Sequence, residues 1–230
     1  MTSYKNDDEL FAAIREKLFT AVVGDILDVM GYRHQFLPPH IKPLRDDMVV
    51  LGRAMTVLEA DYFEPEPSQG NGPFSHQGFG LMFHALDDLK PNEVYVCAGA
   101  SPNYAVWGEL MSTRAIHLKA NGAICDGYCR DSEGILKLNF PTFSHGTYAQ
   151  DQGPRGKVID YRVPIEIGKI RINPGDLMFG DRDGVLVIPQ AAEEEAIARA
   201  FEKTSTENKV RLAIEGGMST VEAYERFGVM

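Results

Sequence analysis

Apolar residues recur at three- to four-residue spacing from Leu10 to Met30, at Leu10, Ile14, Leu18, Val22 and Ile26. That period predicts amphipathic helix, and Thr20 and Gly24 divide it into two helices in tandem. Gly31 ends the run. Leu37-Pro38-Pro39 and Lys42-Pro43 then predict an extended crossing segment, because each proline disfavours the helical region for the residue before it. Met48 to Leu58 reads as a strand, with Gly52 marking a bulge or a close backbone approach. Between Phe63 and Gly80, Pro65, Pro67, Gly70, Asn71, Gly72, Pro73 and Gly78 exclude regular structure and predict a long loop.

Helix is expected over Phe79–Leu89, strand over Val94–Cys97, helix over Ala105–Ala120 and strand over Ala123–Asp126. A short helix over Ser132–Leu138 and a strand over Pro141–Ser144 follow. Strand and helix alternate here, which implies parallel pairing. Beyond Gly146 the pattern becomes short strands at Val163–Ile167, Lys169–Ile172, Leu177–Phe179 and Val185–Ile188. Asn173–Asp176 and Asp181–Gly184 between them read as hairpin turns. Helix resumes from Ala191 to about Glu215, Gly216-Gly217 stops it, and a last short helix runs through Tyr224. The organisation expected is one α/β domain over 1–230, with an N-terminal helical extension (1–45), a core (46–190) and C-terminal helices (191–230).

Composition narrows the class. The chain has 230 residues, 44% hydrophobic and 24% charged, which permits a packed core. A formal net charge of -10 and scattered basic residues argue against nucleic acid as a partner. No apolar run approaches the roughly 20 residues that cross a bilayer, so no membrane partner is expected. Cys97, Cys125 and Cys129 lack CxxC spacing and the chain opens on a polar run, Thr2 to Glu9, so a reducing, cytoplasmic location is expected.

The most informative stretch is Gly122-Ala-Ile-Cys-Asp126-Gly127-Tyr128-Cys129-Arg130-Asp131, in which a strand ends at a glycine turn and delivers adjacent charges. The carboxyl end of a strand is a common site position in α/β folds. Asp131 offers hard oxygen ligands for Mg²⁺ or Mn²⁺, and Arg130 a planar fork matched to a carboxylate or enolate. Alternatively, the pair simply begins the next helix, with Asp131 favoured by the helix dipole. Upstream, Gly99-Ala-Ser-Pro-Asn103 leads into the segment bearing Trp107-Gly-Glu-Leu-Met111. Its free amides at a helix start suit a carboxylate, or it is a tight turn with Trp107 in the core.

Taken together, these stretches resemble the RraA-like family, which includes the 4-hydroxy-4-methyl-2-oxoglutarate and 4-carboxy-4-hydroxy-2-oxoadipate aldolases. The resemblance rests on Leu37-Pro-Pro-His-Ile-Lys-Pro-Leu44, Leu51-Gly-Arg-Ala-Met-Thr-Val57, Trp107-Gly-Glu-Leu-Met111, Asp126-Gly-Tyr-Cys-Arg-Asp131, and Ile172-Asn-Pro-Gly-Asp176 with Asp181-Arg-Asp-Gly-Val-Leu-Val187. Glu109 precedes Arg130-Asp131 by the family's spacing, with residues 110–129 between them. The resemblance implies a three-layer β/β/α swivelling-domain fold, assembled as trimers or hexamers. It implies that Asp131 binds the divalent metal, that Arg130 contacts a 2-oxo acid, and that backbone amides of Gly108, Glu109, Leu110 and Met111 hold its carboxylate. Glu109 and, across a subunit interface, Glu207 complete the catalytic set.

The activity so implied is retro-aldol cleavage of a 4-hydroxy-2-oxo acid to pyruvate, with oxaloacetate decarboxylation as a side activity. The rival is a non-catalytic RraA-type regulator that binds an RNA-processing enzyme. A methyltransferase reading lacks a glycine-rich cofactor fingerprint after a first strand. The chain departs from the pattern in its long loop and in Cys97, which stands where an acid is expected. His34, His40, His76, His84, His117 and His145 show no metal-ligand spacing and read as structural or solvent-facing, with His76 singled out for its loop. Asp181-Arg-Asp-Gly184 reads as a turn and not a calcium loop.

Overall fold

The computed structural model describes residues 4–62 and 77–228. In chain order the elements are α1 (Asp7–Lys17), α2 (Thr20–Val29), β1 (Lys42–Pro43), β2 (Val50–Asp61), α3 (Met82–Asp87), β3 (Glu93–Ala98) and β4 (Ala105–Trp107). There follow α4 (Glu109–His117), β5 (Gly122–Cys125), β6 (Tyr128–Cys129), α5 (Ser132–Leu138), β7 (Thr142–Ser144), β8 (Gly156–Tyr161), β9 (Ile165–Ile167) and β10 (Ile170–Ile172). The last are β11 (Leu177–Gly180), β12 (Val185–Ile188), α6 (Gln190–Glu215) and α7 (Thr220–Phe227). The loop expected after Phe63 falls mostly outside the described residues, and so does His76.

Two compact units form, one from His34 to Gln190 and one from the helical segments on either side of it. In the helical unit the N-caps follow the side-chain chemistry. Asn6 accepts from the Glu9 amide at 3.0 Å, and Ser219 from the Glu222 amide at 3.2 Å. Gly24 lies inside α2, so the tandem helices divide before Thr20 and not at that glycine.

The larger unit is built on an eight-stranded sheet of order β1-β7-β5-β3-β2-β11-β12, with β8 also paired to β2. β2, β3, β5 and β7 run parallel, as the strand–helix alternation predicts. Being long, β2 serves two partners, pairing antiparallel with β11 along its first part and with β8 along its second. The proline segment explains how the sheet nearly closes. Phe36 bridges to Leu186 beside one edge strand, and Lys42–Pro43 pairs with Phe143–Ser144 at the other. A short segment, turned at Pro39-His40 by the Ile41 amide donating to the Pro38 carbonyl at 3.0 Å, therefore straps one edge to the other.

Both faces of the sheet are covered, so its strands read as continuous apolar runs. Side chains alternate between faces. Val94, Val96 and Ile124 pack with Ile165, Ile167, Ile170 and Ile172 of the β9–β10 hairpin. Tyr95, Cys97, Ala123 and Cys125 pack with Met82, Leu86, Ala115 and Ile135 of α3, α4 and α5. Hairpin, sheet and helices make the three β/β/α layers. Gly52 marks a close approach, since a Cβ there would stand 2.5 Å from the Asn92 carbonyl.

Two local expectations change, and one strand was not expected. Ala105–Trp107 is strand β4, paired with β6, and the helix begins only at Glu109, because this segment is buried on all sides beside Tyr128–Cys129. Asn173–Asp176 is not a hairpin turn. It carries the chain from β10 in the small hairpin to β11 in the main sheet, held by buried Asp176, which accepts from the Asn173 amide at 2.8 Å. Strand β8 carried too little alternation to be read. The Asp181–Gly184 turn joins β11 to β12 as a hairpin.

Candidate active site

β5 ends beneath the Cys97 carbonyl, to which the Asp126 amide donates at 2.9 Å. After the Gly127 turn, β6 pairs in parallel with β4, Trp107 opposite Cys129, and the Arg130 amide donates to the Trp107 carbonyl at 2.9 Å. Two helices therefore start side by side, α4 after Gly108 and α5 after Asp131. This pairing brings Gly108 and Glu109 to Arg130 and Asp131.

Asp131 stands at the N-cap of α5, yet it does no capping. Its backbone lies in the left-handed region (φ 53°, ψ 33°), and its side chain makes no capping hydrogen bond. Aspartate enters that region more readily than most residues, as Asn139 does at the other end of α5 (φ 53°, ψ 35°). The reading of Asp131 as a dipole-favoured helix start accounts for its place but not for a carboxylate that makes no capping hydrogen bond. The carboxylate is half-exposed, 3.7 Å from Arg130 Nε. A Cβ at Gly108 would come within 3.1 Å of its Oδ2, so glycine is what lets the α4 start approach it.

At α4, Gly108 is an extended N-cap without a side-chain cap, which leaves the first-turn amides of Glu109, Leu110 and Met111 open. The start is anchored from beneath. Trp107 Nε1 donates to Ser112 Oγ at 2.8 Å, and Ser112 Oγ donates to the Gly108 carbonyl at 3.1 Å. Buried Trp107 also packs on Tyr95 and stacks with Phe140. The Glu109 carboxylate folds over the first turn of α5, where a Cβ at Gly134 would stand 2.5 Å from Oε2.

Sequence reasoning missed Asp151. Arg130 Nη1 donates to Asp151 Oδ1 at 2.8 Å, so the guanidinium sits between two carboxylates. The Gly153 amide donates to Asp151 Oδ2 at 3.2 Å, and Arg155 Nη1 to the Asp151 carbonyl at 3.0 Å. A second missed acid is Glu59, fully buried on β2. Gln152 Nε2 donates to its Oε2 at 2.9 Å, and burial pushes its carboxyl up to about 8, partly opposed by the Cys97 thiol beside it. A carboxyl from the neighbouring strand therefore lies beside the Cys97 thiol. Only the sheet register could have revealed it.

Glu207 belongs to the helical unit, on α6, paired with Lys203 at 3.6 Å. Lys203 also pairs with Asp25. Among the described residues one group of His, Cys, Asp and Glu side chains brings three ligand atoms together, His40, Asp126 and His145, all within 4.8 Å of one another. Their separation along the chain hides this from any spacing rule. Asp131 provides a different donor set, a single hard oxygen at a half-exposed position. That set suits Mg²⁺ or Mn²⁺, which take one or two carboxylates and keep several waters. No helix among the described residues is long and apolar enough to cross a membrane.

Open helix-start amides, a guanidinium and a carboxylate not used as a cap meet at paired strand ends. Residues 20–187 match the RraA-like family (Aldolase/RraA). The chain belongs to that family. It is 31% identical over 207 residues to a Halalkalibacterium halodurans protein provisionally named 4-hydroxy-4-methyl-2-oxoglutarate aldolase, covering 89% of each chain. Protein DlpA of Legionella pneumophila is 29% identical over 209 residues, 90% of this chain, but the match spans only 32% of that longer protein. An uncharacterized protein from Pseudomonas syringae pv. tomato has a crystal structure that superposes with a TM-score of 0.82 at 25% identity, covering 99% of this chain and 98% of that one.

Proposed function

We propose that this protein is a divalent-metal-dependent lyase that cleaves a 4-hydroxy-2-oxo acid by retro-aldol chemistry, releasing pyruvate, and that it decarboxylates oxaloacetate as a side activity. The observation that carries the reading is the Asp131 carboxylate, not used as a cap and set against Gly108 at the open start of α4. The family membership and the name of the Halalkalibacterium halodurans relative support it.

Asp131 would hold Mg²⁺ or Mn²⁺, which when bound supplies positive charge to polarise a 2-oxo group. The amides of Gly108, Glu109, Leu110 and Met111 bind the substrate carboxylate, using the partial positive charge of a helix start. Arg130 faces the 2-oxo oxygen and stabilises the negative charge that develops there as the C3–C4 bond breaks. The bonding electrons pass to the 2-oxo side, and the C4 hydroxyl proton goes to a carboxylate as the C4 carbonyl forms. Glu109, folded over the first turn of α5, is one acceptor of that proton, and Glu207 from a partner subunit the second. The enolate is then protonated at C3, giving pyruvate. A homo-oligomer, trimer or hexamer, is part of this reading.

The test is pyruvate release from 4-hydroxy-4-methyl-2-oxoglutarate and from oxaloacetate, with Mg²⁺ or Mn²⁺ and with EDTA, for wild type and Asp131→Ala. Activity lost with EDTA and with the substitution is the result expected. No pyruvate from either substrate would instead favour a non-catalytic role, as a regulator of an RNA-processing enzyme.

A further inference from the structure

His40 lies on the proline strap that joins the two edges of the sheet, between the Phe36 bridge and β1. Asp126 follows the end of β5 and His145 the end of β7. Three separate segments thus meet at one point. His145 Nε2 stands 2.9 Å from Asp126 Oδ1, and the rings of His40 and His145 are edge to face with centroids 4.4 Å apart. The His145 and Asp126 side chains are only 15% and 27% exposed. Their backbones are fixed as well, Asp126 by its bond to Cys97 and His145 by its amide donating to the Gly127 carbonyl at 2.8 Å. The Tyr128 and His145 rings also stand edge to face, with centroids 5.7 Å apart.

We propose that His40, Asp126 and His145 form a cation site for a borderline transition metal such as Zn²⁺, built from residues other than Asp131. Two imidazoles and a carboxylate are a donor set that binds such metals with three protein ligands and a fourth position for water. With ligand bonds of about 2.0–2.1 Å, tetrahedral geometry separates neighbouring donor atoms by about 3.3 Å. The Asp126–His145 pair is already near that separation. His40, exposed on the strap, has no hydrogen bond from its ring among the described residues, so nothing has to be broken for it to turn toward the pair. A cation here ties the strap to the ends of β5 and β7, and so braces the turn that leads to Arg130 and Asp131. The site does not depend on the lyase reading, because its binding is measured without substrate.

The experiment uses the full chain stripped with EDTA and titrated with Zn²⁺ alone by calorimetry, and with Co²⁺ alone by visible absorption. Wild type, His40→Ala, His145→Asn and Asp131→Asn are compared. The expectation is that wild type and Asp131→Asn bind Zn²⁺ about 10-fold or more tightly than the two histidine variants. The visible bands of low-coordinate Co²⁺ should be present in the first two proteins and lost from His40→Ala. Zn²⁺ should raise the melting temperature of wild type but not of His40→Ala. Equal Zn²⁺ affinity in wild type and His40→Ala overturns the proposal, and so does binding that survives at the histidines' loss but disappears in Asp131→Asn. Because His40 is exposed, its substitution decides the matter even if His145→Asn does not fold.

Discussion

The Glu109 carboxylate lies across Gly134, close enough that a Cβ at position 134 would stand 2.5 Å from Oε2. The glycine opens the first turn of α5 to the Glu109 side chain from α4. Gly134→Ala is expected to push Glu109 away and lower kcat/KM for pyruvate release by about 100-fold, the scale of a lost proton acceptor. The gain in helix propensity, about 1 kcal/mol, offsets the cost of moving the side chain. Steady-state kinetics together with a melting curve should therefore show lost activity at nearly unchanged stability.

Arg130 is oriented by Asp151 through the 2.8 Å bond at Nη1. Asp151→Ala releases that arm, and a misplaced guanidinium is expected to cost about 10- to 100-fold in kcat/KM. Asp151→Asn keeps an acceptor at the same place and loses only the charge of a part-exposed pair, worth at most about 1 kcal/mol, so it should stay within about fivefold of wild type. Equal damage from both variants would show that charge, not orientation, is what Asp151 supplies.

Glu59 should make stability fall as pH rises. Its carboxyl is raised to about 8 in the folded chain from an ordinary 4.5, so below about 4.5 both folded and unfolded chains hold the proton and folding carries no penalty. Between 4.5 and 8 the unfolded chain releases the proton while the folded one keeps it, which favours unfolding progressively. Above 8 both are ionised and the full cost of a buried charge applies. Melting temperatures measured across this range should decline less for Glu59→Gln than for wild type.

The buried indole of Trp107 depends on one acceptor, Ser112 Oγ. Ser112→Ala leaves that donor unsatisfied and is expected to destabilise the protein by about 1–3 kcal/mol. Urea denaturation measures this. Since the same hydroxyl supports the Gly108 carbonyl, KM for the 2-oxo acid should rise as well.

Local chemistry was legible wherever it is carried by neighbouring residues. Ser132–Leu138 and Val185–Ile188 are helix and strand with the bounds their patterns predict, and the tandem helices, the parallel strands and the proline crossing follow the same rules. The family spacing of Glu109 and Arg130-Asp131 was equally plain, because it sits within consecutive elements. Ala105–Trp107 misled because its apolar run suits a buried strand as well as a helix, and only the partner strand at Tyr128–Cys129 decides between them.

The sequence by itself determined the bounds of α5 and β12 and the placing of the Arg130 and Asp131 charges just ahead of α5. Only the tertiary structure decided what those charges meet: Asp151 at Arg130, Glu59 beside Cys97, and His40 with Asp126 and His145. Period and spacing record which face a residue shows within its own element. The closing of the sheet, which joins segments far apart in the chain, sets the neighbours across elements, and no local pattern encodes that distance.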